Sequence, residues 1–283
     1  SKRSILCAGS IERPIAFANN DRPGIMQAGA LRAYANRWAV AAASEVAVFT
    51  NNDDGHRTAS DLAAKGVKVT AIIDTRADAP DHGDAEVLAG ACVTDSRGRL
   101  GLSKIKVRSA DGSQRWIKCG ALGVSGGWNP NVHLTCHQRG RPVWNEAIAA
   151  FVPGAVGPVG LSSAGAASGM FSTAAALTGG AVAAVNALGE IGIKAKAMAM
   201  PEAEDAPVSI TAFWHVTGKG RAWLDQQNDV TVKDVKLAHQ ENFQSVEHLK
   251  RYTTLGMATD QGKTSNIAGL AVMAEVAGKT IPE

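Results

Sequence analysis

The sequence predicts an α/β fold: a doubly wound parallel sheet with a compact βαβ unit set inside it and a small helical domain toward the carboxyl end. Three observations carry that expectation. Glycine is abundant, 30 of 283 residues, while aromatic residues make up only 5%, a balance that suits helices and turns packed closely on a sheet. Short apolar runs alternate with helical patterns over the first two hundred or so residues. Beyond about residue 222 the strand-like runs give way to three short helices with recognisable caps.

Bulk properties narrow the class further. Hydrophobic residues at 45% and charged residues at 19% give an ordinary globular balance, and the length is enough for about two domains. The net charge is +3, with both signs interspersed, which argues against a nucleic-acid partner. No signal peptide and no uninterrupted apolar run of about 18 residues is present, so a cytoplasmic protein without a membrane partner is expected. The nearest approach, Ala164–Leu188, is broken by Gly165, Gly169, Gly179 and Gly180. Cys7, Cys92, Cys119 and Cys136 are far apart and form no CxxC pair, so they read as reduced thiols. The chain opens without methionine on Ser4–Gly9, already a strand running into a turn, and is expected to be part of something longer.

In order along the chain, Ile5–Ala8 reads as a strand, 19–24 as a polar loop, and Leu31, Tyr34, Ala35 and Trp38 as one helical face. Glu45–Thr50 is a second strand. A helix from about Arg57 to Lys65 stops at Gly66, and Val67–Ile73 follows as a strand closing on Asp74, completing the βαβ unit. Residues 85–118 suggest an antiparallel ribbon turning at 96–98 and 110–112. Ala121–Val124 and Ala155–Leu161 read as further strands, the second entering a long small-residue helix. Pro201–Pro207, with Glu202, Glu204 and Asp205, is an acidic linker. Strand-like Arg221–Leu224 precedes helices starting near Thr231, Ser245 and Ser265, the last ending at Gly278, and Thr231-x-x-Asp234 is a weak capping signal.

Two strand–turn–helix junctions invite a nucleotide reading. At 50–55 only Gly55 remains of a phosphate-binding glycine set, and Asp53 and Asp54 stand where a dianion would approach. Like charges at such range cost several kcal/mol. Asp74 occupies the place of a ribose-binding carboxylate, yet the unit is expected to be structural and without nucleotide. The second junction, Ser162–Thr173, is built from small residues with no acid in the turn. It permits backbone amides to approach a phosphate at a helix N-terminus, and close helix–sheet packing explains its glycines equally well. His133 and His137 are four apart but lack a third ligand, so no metal site is expected. No GxSxG motif or Cys–His pairing stands out, and no catalytic residue is assigned.

Several longer runs carry a family resemblance. They are Ala8–Pro14, Asn20–Met26, Phe49–Gly55, Ser125–Pro130, Asn228–Asp234 and, most specific, Leu249–Lys263, in that order. Together they resemble the alpha subunits of heterotetrameric sarcosine oxidases over nearly the whole chain. The resemblance implies a flavin-reductase-like domain formed by 1–41 and 117–200, which in that family holds NAD where relatives hold FAD. It is interrupted by a second Rossmann-like domain at 42–116 without nucleotide. A linker at 201–221 and a helical domain at 222–283 complete the chain. The NAD contacts carry over to Ala8, Gly9, Gly165, Ala166, Phe171 and Thr173, with Phe171 standing where the family pattern has leucine. Thr259, Gln261 and Lys263, in a polar glycine turn leading to a helix capped by Thr264 or Ser265, would face FMN at the boundary with the beta subunit.

The implied assembly has beta, gamma and delta subunits, FAD on the beta subunit and FMN shared with it. Its reaction is the oxidative demethylation of sarcosine to glycine, yielding formaldehyde or methylene-tetrahydrofolate and hydrogen peroxide. The family's amino-terminal dinucleotide fingerprint would precede Ser1 and its folate domain would follow Glu283, so this stretch alone is expected to hold NAD weakly and to be inactive. Two alternatives stand beside this reading. One is the alpha subunit of an opine, proline or amine dehydrogenase, whose tail holds an iron–sulfur cluster. No cysteine follows Cys136 here, which removes its ligands. The other is a non-catalytic scaffold that binds NAD structurally.

Overall fold

The computed structural model describes residues 2–83, 85–196, 198–203, 205 and 209–283. In chain order the first elements are β1 (Ser4–Leu6), β2 (Ser10–Glu12), β3 (Ile25–Gln27), α1 (Ala28–Trp38), β4 (Glu45–Thr50), α2 (Asp53–Ala64), β5 (Lys68–Asp74) and β6 (Val87–Leu88). Then come β7 (Cys92–Arg97), β8 (Lys104–Arg108), β9 (Gln114–Lys118), β10 (Ala121–Ser125), β11 (Trp128–Pro130), β12 (Val143–Asn145), β13 (Ala150–Val152), β14 (Leu161–Ser163) and α3 (Thr173–Gly189). The tail holds β15 (Trp223–Asp225), β16 (Val230–Thr231), α4 (Val232–Gln240), α5 (Val246–Thr253) and α6 (Asn266–Ala277). Contacts divide these elements into a unit of 1–11 with 128–209 and a larger unit of 12–127 with 210–281.

The larger unit is built on a five-stranded parallel sheet in the order β3-β10-β4-β5-β6. Its central strands β10, β4 and β5 are largely buried on both faces, which explains why they read as continuous apolar runs rather than alternating ones. Phe49, Ile73, Leu122 and Val124 pack one face against Ile105 and Val107 of the antiparallel β7-β8-β9 ribbon. Leu31, Leu62, Val46 and Val67 fill the other face under α1 and α2. Because β3 and β10 hydrogen-bond into this sheet, the compact unit runs wider than 42–116.

Local chemistry moved two helix features from where periodicity set them. α2 starts at Asp53, four residues before the expected Arg57, because the Asn52 side chain caps it by accepting from the amides of Asp54 (3.0 Å) and Gly55 (3.3 Å). The buried stripe of α1 is narrower than expected. Leu31 and Ala35 are buried, whereas Tyr34 and Trp38 are 44% and 60% exposed and pack on each other at 5.6 Å.

The tail belongs to the larger unit and has its own core of Leu224, Val235, Leu249, Leu255 and Val272. The capping signal at Thr231 is a complete capping box. Thr231 Oγ1 accepts the Asp234 amide at 3.4 Å and Asp234 Oδ2 accepts the Thr231 amide at 2.7 Å. Ser245 caps α5 by accepting the His248 amide, and Gly278 ends α6 in a left-handed turn. In the expected linker, Glu204, Ala206, Pro207 and Val208 lie outside the described residues. Ile210 and His215 already pair with Asn52 and Ala16.

In the smaller unit β1 pairs in parallel with β14, β12 pairs antiparallel with β13, and α3 follows a short 3-10 turn at Gly165–Ser168. The strand expected at Ala155–Leu161 is found at Leu161–Ser163 instead. Pro158 has no amide to donate and Gly160 takes φ +75°, which keeps 155–160 in a loop.

Candidate functional site

The smaller unit brings Ala8, Gly9, Gly165 and Ala166 together. β1 and β14 run in register, Ser4 with Leu161, Ile5 with Ser162 and Leu6 with Ser163, so both release their chains at one edge. The Ala164 amide closes that edge by donating to Leu6 O at 3.0 Å. Gly9 and Gly165 follow at left-handed φ, +70° and +65°, a region that residues with a Cβ rarely adopt. A Cβ on Gly9 would meet nothing within 4 Å, and one on Gly165 only Ala176 Cβ at 3.8 Å, so both turns leave bare backbone facing open space. Ser172 then caps α3 by accepting the Ala175 amide at 3.3 Å, leaving Thr173 exposed in the first turn of a 17-residue helix. Phe171 is half-buried beside it. An open concavity of about 660 Å³ runs along α3 and β14, walled by Arg3, Met170, Val182 and Glu190, but none of Ala8, Gly9, Gly165, Ala166, Phe171 and Thr173 lines it. The carboxyl ends of parallel strands, beside a helix N-terminus, are where nucleotides bind in open α/β sheets.

The turn after β4, in the larger unit, is neutralised from within. Asp53 and Asp54 sit in the first turn of α2, where negative charge suits the helix dipole. Arg76 donates from Nη1 to Asp53 Oδ1 (2.8 Å), and from Nη2 and Nε to Asp74 Oδ2 (2.8 Å) and Oδ1 (3.1 Å). His56 Nε2 meets Asp74 Oδ2 at 2.8 Å, while Asp54 pairs with Arg32 at 3.3 Å and Arg57 at 3.5 Å. Asp74, the candidate ribose ligand, is wholly buried beneath these groups. Burial alone would push its carboxyl up, but the His56 and Arg76 hydrogen bonds outweigh that and hold it below the usual carboxylate range. Gly55 serves packing, since a Cβ there would collide with the Thr50 side chain. Sequence reasoning weighed Asp53, Asp54 and Asp74 and missed Arg76 and His56; an arginine two residues past the strand end was the available signal.

Glu12 lies at the start of α1, where its Oε2 accepts the Gly29 amide at 2.7 Å. It is 4% exposed, and Oε1 has no hydrogen-bond partner among the described residues. Burial pushes its carboxyl up to about 7, opposed by the nearby Ser125 hydroxyl and the Gly29 amide.

In the 259–263 turn, backbone amides meet a carboxylate of the same chain. Asp260 Oδ1 accepts from Gly262 N (3.0 Å), and its Oδ2 accepts from Thr264 N (3.3 Å) and Thr264 Oγ1 (2.8 Å). Gln261 turns its amide back to Ala258 O. Neither Thr264 nor Ser265 caps α6; Ser265 has helical φ/ψ and its hydroxyl donates to Asp225 Oδ2 at 3.4 Å. That buried Asp225 carboxylate also accepts the amides of Gly256, Gln227 and Asn228 at 2.8, 2.9 and 3.1 Å, tying three tail segments together. His133 and His137 share no helical face, because His137 has extended backbone at ψ 159°. Among the described residues no cluster of three or more His, Cys, Asp or Glu could hold a metal, and no helix is long and apolar enough to cross a membrane.

The parallel sheet of the larger unit and the glycine turns at the paired strand ends of the smaller define the class: a mixed α/β, Rossmann-like fold of a kind found among oxidoreductases. L-proline dehydrogenase from P. horikoshii matches it with TM-score 0.70 over 99% of this chain and 54% of that one, at 19% identity. T. acidophilum thioredoxin reductase matches with TM-score 0.51 over 68% and 66%, at 15% identity. Both likenesses concern fold. The sequence is more specific. It is 42% identical to the sarcosine oxidase subunit alpha of Rhizobium meliloti (strain 1021), over 98% of this chain and 28% of that subunit. To the subunit alpha of Corynebacterium sp. (strain P-1) it is 40% identical, over 97% of this chain and 30% of that subunit. Residues 219–283 match the sarcosine oxidase A3 domain. The chain is thus a relative of sarcosine oxidase alpha subunits and spans about three-tenths of the length of those it matches.

Proposed function

We propose that this chain serves as a nucleotide-holding part of a sarcosine oxidase alpha subunit, acting in the oxidative demethylation of sarcosine to glycine in the cytoplasm. The observation that carries the reading is identity of 40–42% over 97–98% of the chain to subunits of that name. The smaller unit supplies the physical support. Bare turns at Gly9 and Gly165 and a helix N-terminus at Thr173 fit the phosphate centre of a dinucleotide. Ala8, Gly9, Gly165 and Ala166 would hold the NAD backbone, with Phe171 and Thr173 at the entry to α3. NAD, when bound, supplies a nicotinamide able to exchange a hydride. The residues of this chain bind and orient it and name no proton-transfer group.

The second flavin site in this reading is FMN shared with the beta subunit, with FAD on the beta subunit and gamma and delta subunits completing the assembly. Its support on this chain is the domain match over 219–283, which contains Thr259, Gln261 and Lys263. Asp260 accepts the Gly262 and Thr264 amides of that turn, so this reading assigns the phosphate contact to the charge of Lys263. In the co-expressed oxidase, Gly165→Asp should abolish NAD retention through bulk and like charge while leaving the subunits assembled. Release of NAD on denaturation, measured by cycling assay, reads this directly. Unchanged NAD content in that variant would reduce the 162–173 turn to packing. Loss of sarcosine-dependent peroxide formation together with NAD would assign NAD a part in turnover; loss of NAD alone would make it structural.

A further inference from the structure

Within the larger unit a concavity of about 410 Å³ opens between the outer face of the β7-β8-β9 ribbon and the loop at 217–220. We propose that it binds a small molecule through a phosphate group. The side chains follow from strand alternation. Ile105 and Val107 are wholly buried in the core, so Lys106 and Arg108 turn to the other face, roughly 6.6 Å apart along β8. Both line the concavity, and Lys219 lines it from the loop.

Asp95 is the single carboxylate among the lining residues, which leaves two positive charges in excess. That carboxylate is already engaged: Oδ1 accepts from Asn19 Nδ2 at 2.7 Å and from the Ser96 amide at 2.8 Å. The side chains of Lys106 and Lys219 have no carboxylate or hydrogen-bond acceptor among the described residues, and Arg108 donates to the weak acceptor Cys92 Sγ at 3.3 Å. The other cations of the ribbon differ. Arg115 pairs with Glu86, Lys118 lies 3.8 Å from Glu45, and Arg97 and Lys104 sit over the Trp116 ring at 5.0 Å. Among the described residues of the three strands, the basic side chains away from the concavity each have a carboxylate or an aromatic ring beside them.

A solvated basic face needs no hollow and gathers no cations around one. Here three cations converge on a volume within the range of small-molecule sites. A phosphate monoester, with roughly 1.5 to 2 negative charges at neutral pH, balances the excess. The guanidinium of Arg108 offers the planar fork that pairs two phosphate oxygens, and the lysines supply mobile point charges. Thr217 and Gln114 add neutral donors at the rim.

Calorimetric titration of the 283-residue chain tests the proposal, with inorganic phosphate, glycerol 1-phosphate and succinate as separate probes. Phosphate and the monoester should bind with Kd below about 1 mM at low salt, the monoester more tightly. Lys106→Gln and Arg108→Gln should each weaken binding about tenfold or more, while Lys279→Gln, an exposed charge on the tail, leaves it unchanged. Arg108 packs against Cys92, so its variant is checked for an unaltered thermal melt, and Lys106→Gln stands alone if that melt is lost. Absence of binding at millimolar phosphate overturns the proposal. So does equal weakening by Lys279→Gln, or succinate binding as tightly as the phosphates. Tighter binding of inorganic phosphate than of the monoester would overturn the ester as ligand.

Discussion

Replacing Arg76 with methionine isolates the charge balance of the larger unit. The side chain is 4% exposed and bridges Asp53, 13% exposed, to Asp74, which is wholly buried. Methionine keeps most of the volume but strands a carboxylate in the interior. Breaking a buried pair in this way costs roughly 3–5 kcal/mol. His56 remains 2.8 Å from Asp74 and Asp53 can reach water, so the lower figure of about 3 kcal/mol applies. With a urea dependence of about 2 kcal/mol/M, the unfolding midpoint should drop by about 1.5 M at pH 7. Adding Asp74→Asn to the variant should recover much of the loss. The pH profile gives a second readout. In the native protein the Asp74 carboxyl is held low, so its contribution is present above the unfolded value of 3.8 and fades as pH falls through the folded value. Without Arg76 burial dominates and raises it, so stability should fall as pH climbs from 4 to 7. A midpoint shift under about 0.3 M at pH 7, or parallel pH profiles for the two proteins, would refute the reasoning.

Glu12, pushed up to about 7 by burial, should make the protein less stable as pH rises from 4.5 through 7, by on the order of 3 kcal/mol in total. Glu12→Gln should flatten that slope in denaturant titrations, and an unchanged slope would disprove the link. Asp225→Asn should cost about 2–3 kcal/mol, because an amide cannot accept from Gly256, Gln227, Asn228 and Ser265 together. Hydrogen exchange should report the loss in α4 to α6 before the parallel sheet opens. Lys263→Glu should lower FMN content of the assembled oxidase without altering the melt of this chain, and normal flavin content would make Lys263 a surface charge.

The α/β class, the βαβ unit and the order of the tail helices were legible because periodicity and caps are local. Thr231, Ser245 and Gly278 each act where the sequence set them. What escaped depended on partners distant in sequence. The shift of the 155–161 strand to Leu161–Ser163 follows from pairing with Ser4–Leu6, more than 150 residues earlier. In the same way β3 and β10 join the sheet of β4 through contacts no local pattern announces. At the candidate site, Gly9 and Gly165 could be singled out as glycines, but their meeting at one sheet edge needed the fold. At the 259–263 turn the glycine and lysine were legible, whereas the capture of the Gly262 and Thr264 amides by Asp260 depends on side-chain geometry that no sequence pattern carries.

A Rossmann turn whose acids are balanced by Arg76 has a thermodynamic character of its own. Ligand-bound turns gain stability in proportion to the logarithm of ligand concentration, so their folding rises and falls with the nucleotide pool. Here the counter-charge is covalently part of the chain and always present at full strength. The charge balance of this turn therefore stays the same whatever the concentration of anions in the surroundings.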